Sequence, residues 1–414
     1  MIDLDDIVLH RRSDVAGRSL DGDLVLLSAQ ARQIHALNDS AAAIWDAIGA
    51  ACGMEGLIEH LKGRFDVDES VLRNDVERVL EELDDRGLLG GHREREPASV
   101  RDTPGPWQSK AARYSFELGP FRALESVIRV AATTNTTGDE AAQLFAELAQ
   151  VLEPLIFVSV DLDLTERLEP TTTVHLEIEH DSCNNDASNP AARRWTVRRN
   201  GTTVALLATA ATVREAVLAE VNAAAIASLA ESVGFHAGAV EFPAGVVIFP
   251  GVSDAGKSTL VANLMQRGHR YLTDEAAAVN VHTHEVSLFA KSVCVDHGAH
   301  ALFAHLCPPE QHSWATWHVD PNHIGTGSLG TPGPPAAVVF PVYEADAPLS
   351  LTVLSRSEAV ERLLENSFDF AKTGRKGAEL ILALSDAVPC FELRHGGQRE
   401  HLDVLEAQFG CVGD

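Results

Sequence analysis

Apolar and polar positions alternate and cluster along this chain in a way that marks out its elements before any chemistry is considered. Asp23-Leu-Val-Leu-Leu27 reads as a strand, and Ile34-His-Ala-Leu-Asn38 as a second strand ending at an Asn able to cap a helix. Helical periodicity follows in three blocks. Asp39–Ala50 places Ala43, Ile44, Ala47 and Ile48 on one face, Glu55–Phe65 comes next, and Glu69–Arg86 turns Val71, Val76, Val79, Leu80 and Leu83 inward. A small sheet followed by a compact helical trio predicts a winged-helix-like architecture. Later, Phe157–Asp161, Thr173–Ile178, Trp195–Arg198 and Thr203–Ala208 read as strands, with a loop over His180–Arg193. From Thr212 an Ala-rich helix is predicted to run to about Val233, opened by the capping box Thr212-Val-Arg-Glu215. Ala244–Pro250 is a short apolar run typical of a buried strand. Leu260, Val261 and Leu264 then stripe a helix starting near Lys257. Further on, Val338–Tyr343 suggests a strand and Ser355–Asn366 a capped helix.

Gly90–Pro106 is polar, charged and rich in Pro and Gly, as linkers are. The chain therefore divides into residues 1–90, a linker at 91–106, and 107–414, within which 107–212 supplies an N-terminal sheet and 213–414 a second core. At 414 residues and 45% hydrophobic, there is ample material for more than one core. The fold class expected is α/β, α+β overall.

Charge narrows the partners. The net charge of −27 repels nucleic acid and anionic membrane surfaces. Residues 1–92 carry nineteen acidic against nine basic side chains, and the third helix holds Glu77, Glu81, Glu82, Asp84 and Asp85 where a DNA-reading helix would be basic. A peptide is the better ligand for that unit. Six scattered cysteines without a C-x-x-C pair suit a reducing compartment. With no secretory signal and no apolar stretch near the ~20 residues a membrane helix needs, the expectation is a soluble, cytoplasmic protein. The sequence leaves a homo-oligomer open.

The chemistry centres on Gly251-Val-Ser-Asp-Ala-Gly-Lys-Ser258, which meets G-x-x-x-x-G-K-[ST] at every fixed position between a strand and a helix. In such a loop the backbone N–H groups of Gly251, Ser253, Asp254, Ala255, Gly256, Lys257, Ser258 and Thr259 surround nucleotide phosphates. The Lys257 ammonium reaches the outer phosphates, and the Ser258 hydroxyl can ligate Mg²⁺. Fifteen residues before the loop stands His236, and seventeen after Lys257 stand the paired carboxylates Asp274-Glu275. Ser292-Val-Cys-Val-Asp296 competes for the metal-binding carboxylate, ranked second because an apolar strand ending in Asp is common. Lys372-Thr-Gly-Arg375-Lys376 reads as a basic loop, solvated or closing over phosphates or peptide, and Lys291 has the same standing. Nine of the eighteen histidines fall between His269 and His323, without the paired spacing of a zinc site. Gly325–Pro335 reads as a mobile loop.

Two resemblances follow from these residues. Leu37-Asn38, Ile44-Trp45, Leu57-Ile-Glu-His-Leu61, Phe65-Asp66, Asp75-Val76 and Leu83-Asp-Asp-Arg-Gly87-Leu88-Leu89 together resemble the PqqD family of precursor-recognition domains over nearly all of residues 1–90. The resemblance implies that a leader peptide is captured as an added strand along residues 29–37 and against residues 76–83. The alternative is a structural or dimerising winged helix. The order His236, phosphate loop, Asp274-Glu275 resembles the HPr kinase/phosphorylase group and its PEP-carboxykinase-like relatives, most specifically over Gly234–Val281. It implies a mixed-sheet P-loop kinase domain using ATP and Mg²⁺, with Asp274 as base, His236 beside the transferred phosphoryl group and Lys257 on the phosphates. Ser258 and Glu275, with Asp274, would be the Mg²⁺ ligands. The family's second carboxylate is usually Asp, and Glu stands here instead, which puts metal geometry and reverse phosphorolysis in doubt. Together the two ends imply a kinase acting on a Ser or Thr hydroxyl of a ribosomally made precursor peptide. A kinase/phosphorylase for a small molecule or folded protein, and a catalytically idle nucleotide-gated peptide scaffold, are the alternatives.

Overall fold

Three strands, Val15–Leu20, Asp23–Ser28 and Gln33–Leu37, form an antiparallel meander in that order. The molecule is described here from a computed structural model at residues 10–48, 53–65, 67–90, 114–136, 139–161, 170–180, 194–253, 255–308, 311–312, 314–325, 329–397 and 399–410. Leu20 pairs with Asp23, so Asp21-Gly22 turns the first hairpin with positive φ at both residues, the geometry two-residue hairpins favour. The helices Asp39–Ile48, Met54–Lys62 and Glu69–Asp85 fall within a few residues of their predicted bounds. Asn38 starts the first of them, its side-chain oxygen accepting from Ala41 N at 3.0 Å.

Trp45, Leu57, Leu61, Leu72, Val76, Leu80 and Leu83 close the core of this unit. The third helix is rotated from its expected phase. Leu72 is buried while Val71 is 49% exposed, because the buried row runs 72, 76, 80, 83 and leaves Val71 on the flank. The linker at 91–106 lies outside the described residues.

The chain divides into two compact units. The first contains residues 1–102 together with 354–365 and 370–390. Within it the helix Arg375–Ala387 packs on Val15–Leu20 and Asp23–Ser28. Asp386 pairs with Arg18 at 2.7 Å and with Arg356 at 3.3 Å, and Asp21 accepts from Ser357 N at 2.9 Å. The buried row Leu380, Ile381 and Leu384 needs a sheet to cover, and the N-terminal meander supplies it.

The second unit opens with a five-stranded sheet of Tyr114–Ala123, Ser126–Thr134, Thr172–His180, Trp195–Arg199 and Thr202–Ala208, laid side by side in chain order. Ser126–Thr134 and Thr172–His180 run parallel, which requires a crossover, and the helix Asp139–Asp161 makes it. Phe157–Asp161, read as a strand for its β-branched and aromatic content, is the end of that helix: local propensity is a weak prior against a continuing helix. The Ala-rich helix spans Ala210–Ala227. Thr209 caps it by accepting from Thr212 N, so the predicted box at Thr212 is not its start. Nor does it reach Val233. Ser232–His236 pair with Ala276–Asn280 in a sheet, and that pairing takes them out of the helix.

A seven-stranded mixed sheet follows, ordered Arg270–Thr273, Ser232–Phe242, Gly245–Pro250, Pro335–Tyr343, Cys390–His395 and Ser350–Val353, with Ala276–Asn280 also on Ser232–Phe242. The helix Lys257–Gln266 buries Leu260, Val261 and Leu264. It approaches the sheet at Gly238, where a Cβ would stand 2.6 Å from Val261 Cγ2, 3.7 Å from Thr273 O and 3.9 Å from Lys257 O. Both sheets carry helices and neither closes into a barrel. Among the described residues, no helix is long and apolar enough to cross a membrane.

Gly238→Ala is expected to destabilise the second unit by about 1–3 kcal/mol through overpacking against Val261. Urea denaturation followed by tryptophan fluorescence measures it.

Candidate functional site

Three main-chain hydrogen bonds assemble the candidate site. His236 N donates to Asn366 O at 2.7 Å, Gly251 N donates to His236 O at 3.1 Å, and Ala237 N donates to Glu275 O at 3.2 Å. His236 thus lies between the first residue of the phosphate loop and the second carboxylate. The His236 ring lies 6.1 Å from that of Phe368. Burial, foremost, and the nearby Lys257 ammonium push its pKa below the usual imidazole value, with Glu275 opposing, so the ring is neutral at neutral pH.

The loop leaves its strand at Pro250 and turns into the helix Lys257–Gln266 at Gly256, whose φ of 80° is left-handed. Its N-cap residue, Gly256, makes no side-chain cap, and among the described residues the first-turn N–H groups face the loop. Lys257 is buried and its Nζ donates to Val252 O at 2.8 Å, folding the ammonium back over the loop. Ser258 and Thr259 are half-buried and Ser253 is exposed, while Asp254 lies outside the described residues. The structure brings Gly251, Ala255, Gly256, Lys257 and Ser258 together with His236 and the Asp274-Glu275 turn.

The two carboxylates differ. Glu275 is half-buried beside His236. Asp274 is 2% exposed. Its Oδ1 lies 2.7 Å from Lys291 Nζ and accepts from Tyr271 Oη at 2.8 Å, and its Oδ2 accepts from Cys294 N at 3.2 Å. Lys291, read from sequence as a loop cation, is fully buried and also donates to Ser292 O at 3.1 Å. Its pKa is raised, because Asp274 and other nearby acidic groups outweigh a large desolvation penalty. Burial pushes the Cys294 thiol up to about 12, so it stays protonated, and pushes His318 down to about 4, with Lys291 and Arg214 adding to that shift. The His318 Nδ1 lies 3.8 Å from Cys294 Sγ. Tyr271, Lys291, Cys294 and His318 form a largely buried polar shell around Asp274. Its one sequence signal is a lysine inside the apolar run Leu288-Phe-Ala-Lys291-Ser-Val-Cys-Val295, since a lysine is fully buried almost only when paired.

The other candidates fall elsewhere. Asp296 ends its strand exposed, accepting from Thr316 Oγ1 at 2.9 Å. Arg375 and Lys376 open a helix of the first unit rather than sit in a loop, and Arg375 pairs with Glu379 at 2.8 Å. Residues 326–328, within the predicted loop Gly325–Pro335, lie outside the described residues. Among the described residues, no three His, Cys, Asp or Glu side chains are grouped to hold a metal. The oxygen donors of Ser258 and Glu275 are of the hard kind Mg²⁺ requires, and phosphate oxygens and water would complete its shell. Asp274 already has both carboxylate oxygens engaged.

In the first unit, Ala36, Leu37, Asn38 and Ala41 face Val79, Glu82, Leu83 and Arg86 across a groove of about 100 Å³. One wall is Gln33–Leu37, an edge strand, and the other is the third helix. These are the two segments the sequence pairs as a peptide site. Residues 23–89 match the family model of Coenzyme PQQ synthesis protein D (PqqD). The N-terminal unit carries a PqqD domain. Among solved structures, "TbiB1 in Complex with the TbiA(beta) Leader Peptide" aligns over 20% of this chain and 98% of its own, at 21% identity and a TM-score of 0.19. No curated protein matches the chain. The PqqD match ends before the phosphate loop.

Acid is expected to weaken the second unit through His318. Its folded pKa of about 4 lies below the usual imidazole value of 6.5, so its contribution is complete above pH 6.5 and is lost as pH falls towards 4. Between pH 7 and pH 5 the loss should be roughly 2 kcal/mol. Urea midpoints measured across that range check it, and removal of the imidazole in His318→Leu should flatten that part of the profile.

Proposed function

We propose that this chain is an ATP-dependent kinase that phosphorylates a Ser or Thr hydroxyl of a ribosomally synthesised precursor peptide, after catching the peptide's leader in its PqqD domain. The convergence of His236, the phosphate loop and the Asp274-Glu275 turn on one strand of one sheet carries the reading, because phosphoryl transfer needs positioning and charge neutralisation more than covalent chemistry. The resemblance of that triad to HPr kinases supplies the reaction type. The PqqD groove supplies the substrate class. An edge strand facing a helix suits an extended peptide that adds main-chain hydrogen bonds and drops side chains between Val79 and Leu83.

Mg·ATP would supply the phosphoryl group. The loop N–H groups and Lys257 would hold the β- and γ-phosphates, and Ser258 with Glu275 would hold the metal, whose charge would offset that of the phosphates. The acceptor oxygen attacks the γ-phosphorus, the bond to the β–γ bridging oxygen breaks, and ADP departs. The acceptor proton goes to the Asp274 carboxylate. His236, neutral, orients the acceptor or donates to the moving phosphoryl group. A second reading, a nucleotide-gated peptide scaffold without transfer, draws support from the burial of Asp274 against Lys291.

The test is incubation of the intact chain with Mg·ATP and the precursor encoded beside it, read by mass. A gain of one phosphate per peptide is expected, and no gain with nucleotide and peptide both bound favours the scaffold. Asp274→Asn should abolish transfer while nucleotide binding persists. Val79→Glu places a charge in the groove and should weaken leader affinity at least tenfold, as measured by fluorescence polarisation, leaving nucleotide affinity unchanged.

A further inference from the structure

We propose that Lys291 is a positioning residue of the phosphate site, acting through Asp274. The inference rests on the phosphate-loop reading of Gly251–Ser258. Three observations carry it. The Lys291 ammonium is fully buried, with Asp274 Oδ1 at 2.7 Å, so it answers the one carboxylate that the triad places deepest. Tyr271 Oη donates to the same Oδ1 at 2.8 Å and also to Lys291 O at 3.2 Å, which ties the lysine's backbone to the carboxylate it serves. The turn bearing Asp274 is tied to the strand that also anchors the loop, since Ala237 N donates to Glu275 O at 3.2 Å and Gly251 N donates to His236 O at 3.1 Å.

Lys291 therefore pairs with Asp274 inside the fold and cancels a buried charge that would otherwise repel phosphates held by the loop. Lys291 and Tyr271 hold Oδ1 while Cys294 N donates to Oδ2, so the carboxylate is oriented from both edges. Lysine rather than arginine suits the position, because a compact ammonium fits a fully buried space that a planar fork would overfill.

A charge cycle on the full chain tests this, with Mg·ATP as the probe and affinity read by calorimetry. Lys291→Met leaves an excess negative charge and should weaken binding roughly tenfold. Asp274→Asn leaves an excess positive charge and should bind as tightly as the wild type or more tightly. The double variant Asp274→Asn/Lys291→Met, which strands neither charge and so guards against misfolding, should return to within about threefold of wild-type affinity. Lys291→Arg keeps the charge and should keep the affinity, while lowering the turnover number without raising KM. Unchanged affinity in Lys291→Met overturns the proposal, as does a double variant as weak as Lys291→Met, which would mean that the lysine meets the phosphates directly. If the wild type binds Mg·ATP but transfers nothing, the kinase reading falls and the affinity cycle still decides the pair. If it binds no nucleotide, both fall.

Discussion

The strand Ser232–Phe242 is bonded along both edges, and the candidate site depends on that constraint. On one side it pairs with Gly245–Pro250, which launches the phosphate loop. On the other it pairs with Arg270–Thr273 and Ala276–Asn280, which flank the carboxylate turn. Main-chain hydrogen bonds of this kind fix relative positions to within fractions of an ångström, without reliance on flexible side chains. His236 sits where the strand changes partner. Gly238 permits the phosphate-loop helix to approach closely, and no larger residue would. A histidine, a loop of eight residues and two carboxylates, separated by up to 39 positions in sequence, become neighbours because one strand carries all three.

Much of this was legible in the sequence, for a physical reason. The phosphate loop has fixed spacing because its backbone wraps an object of fixed size, and its flanks must be a strand and a helix. The PqqD pattern was legible because a short helical trio repeats its apolar period with little interruption. What stayed hidden depends on partners distant in the chain. Lys291 reads as a loop cation until Asp274 is placed beside it. Ser355–Asn366 reads as a helix and 372–376 as a basic loop of the 213–414 core, yet the helices at 356–365 and 375–387 belong to the first unit. The burial of Leu72 in place of Val71 turns on a rotation of one residue, which periodicity alone leaves ambiguous.

The two carboxylates, adjacent in sequence, occupy opposite regimes. Asp274 is buried and compensated by a fully desolvated ammonium, whereas Glu275 is half-exposed beside a neutral histidine. Divergent environments for paired titratable groups are the usual means of giving two acids two roles. In the proposed reading the buried one receives a proton and the exposed one holds the metal.

The proposal that one chain both catches and phosphorylates a peptide makes the second encounter intramolecular, with an effective concentration set by the tether. The ratio of kcat/KM for the full-length precursor to that for the same core peptide without its leader measures this most directly. The account predicts a ratio of roughly 10²–10⁴, lost when the groove is blocked. Equal kcat/KM for the two peptides would contradict it and assign the PqqD domain some task other than delivering the substrate.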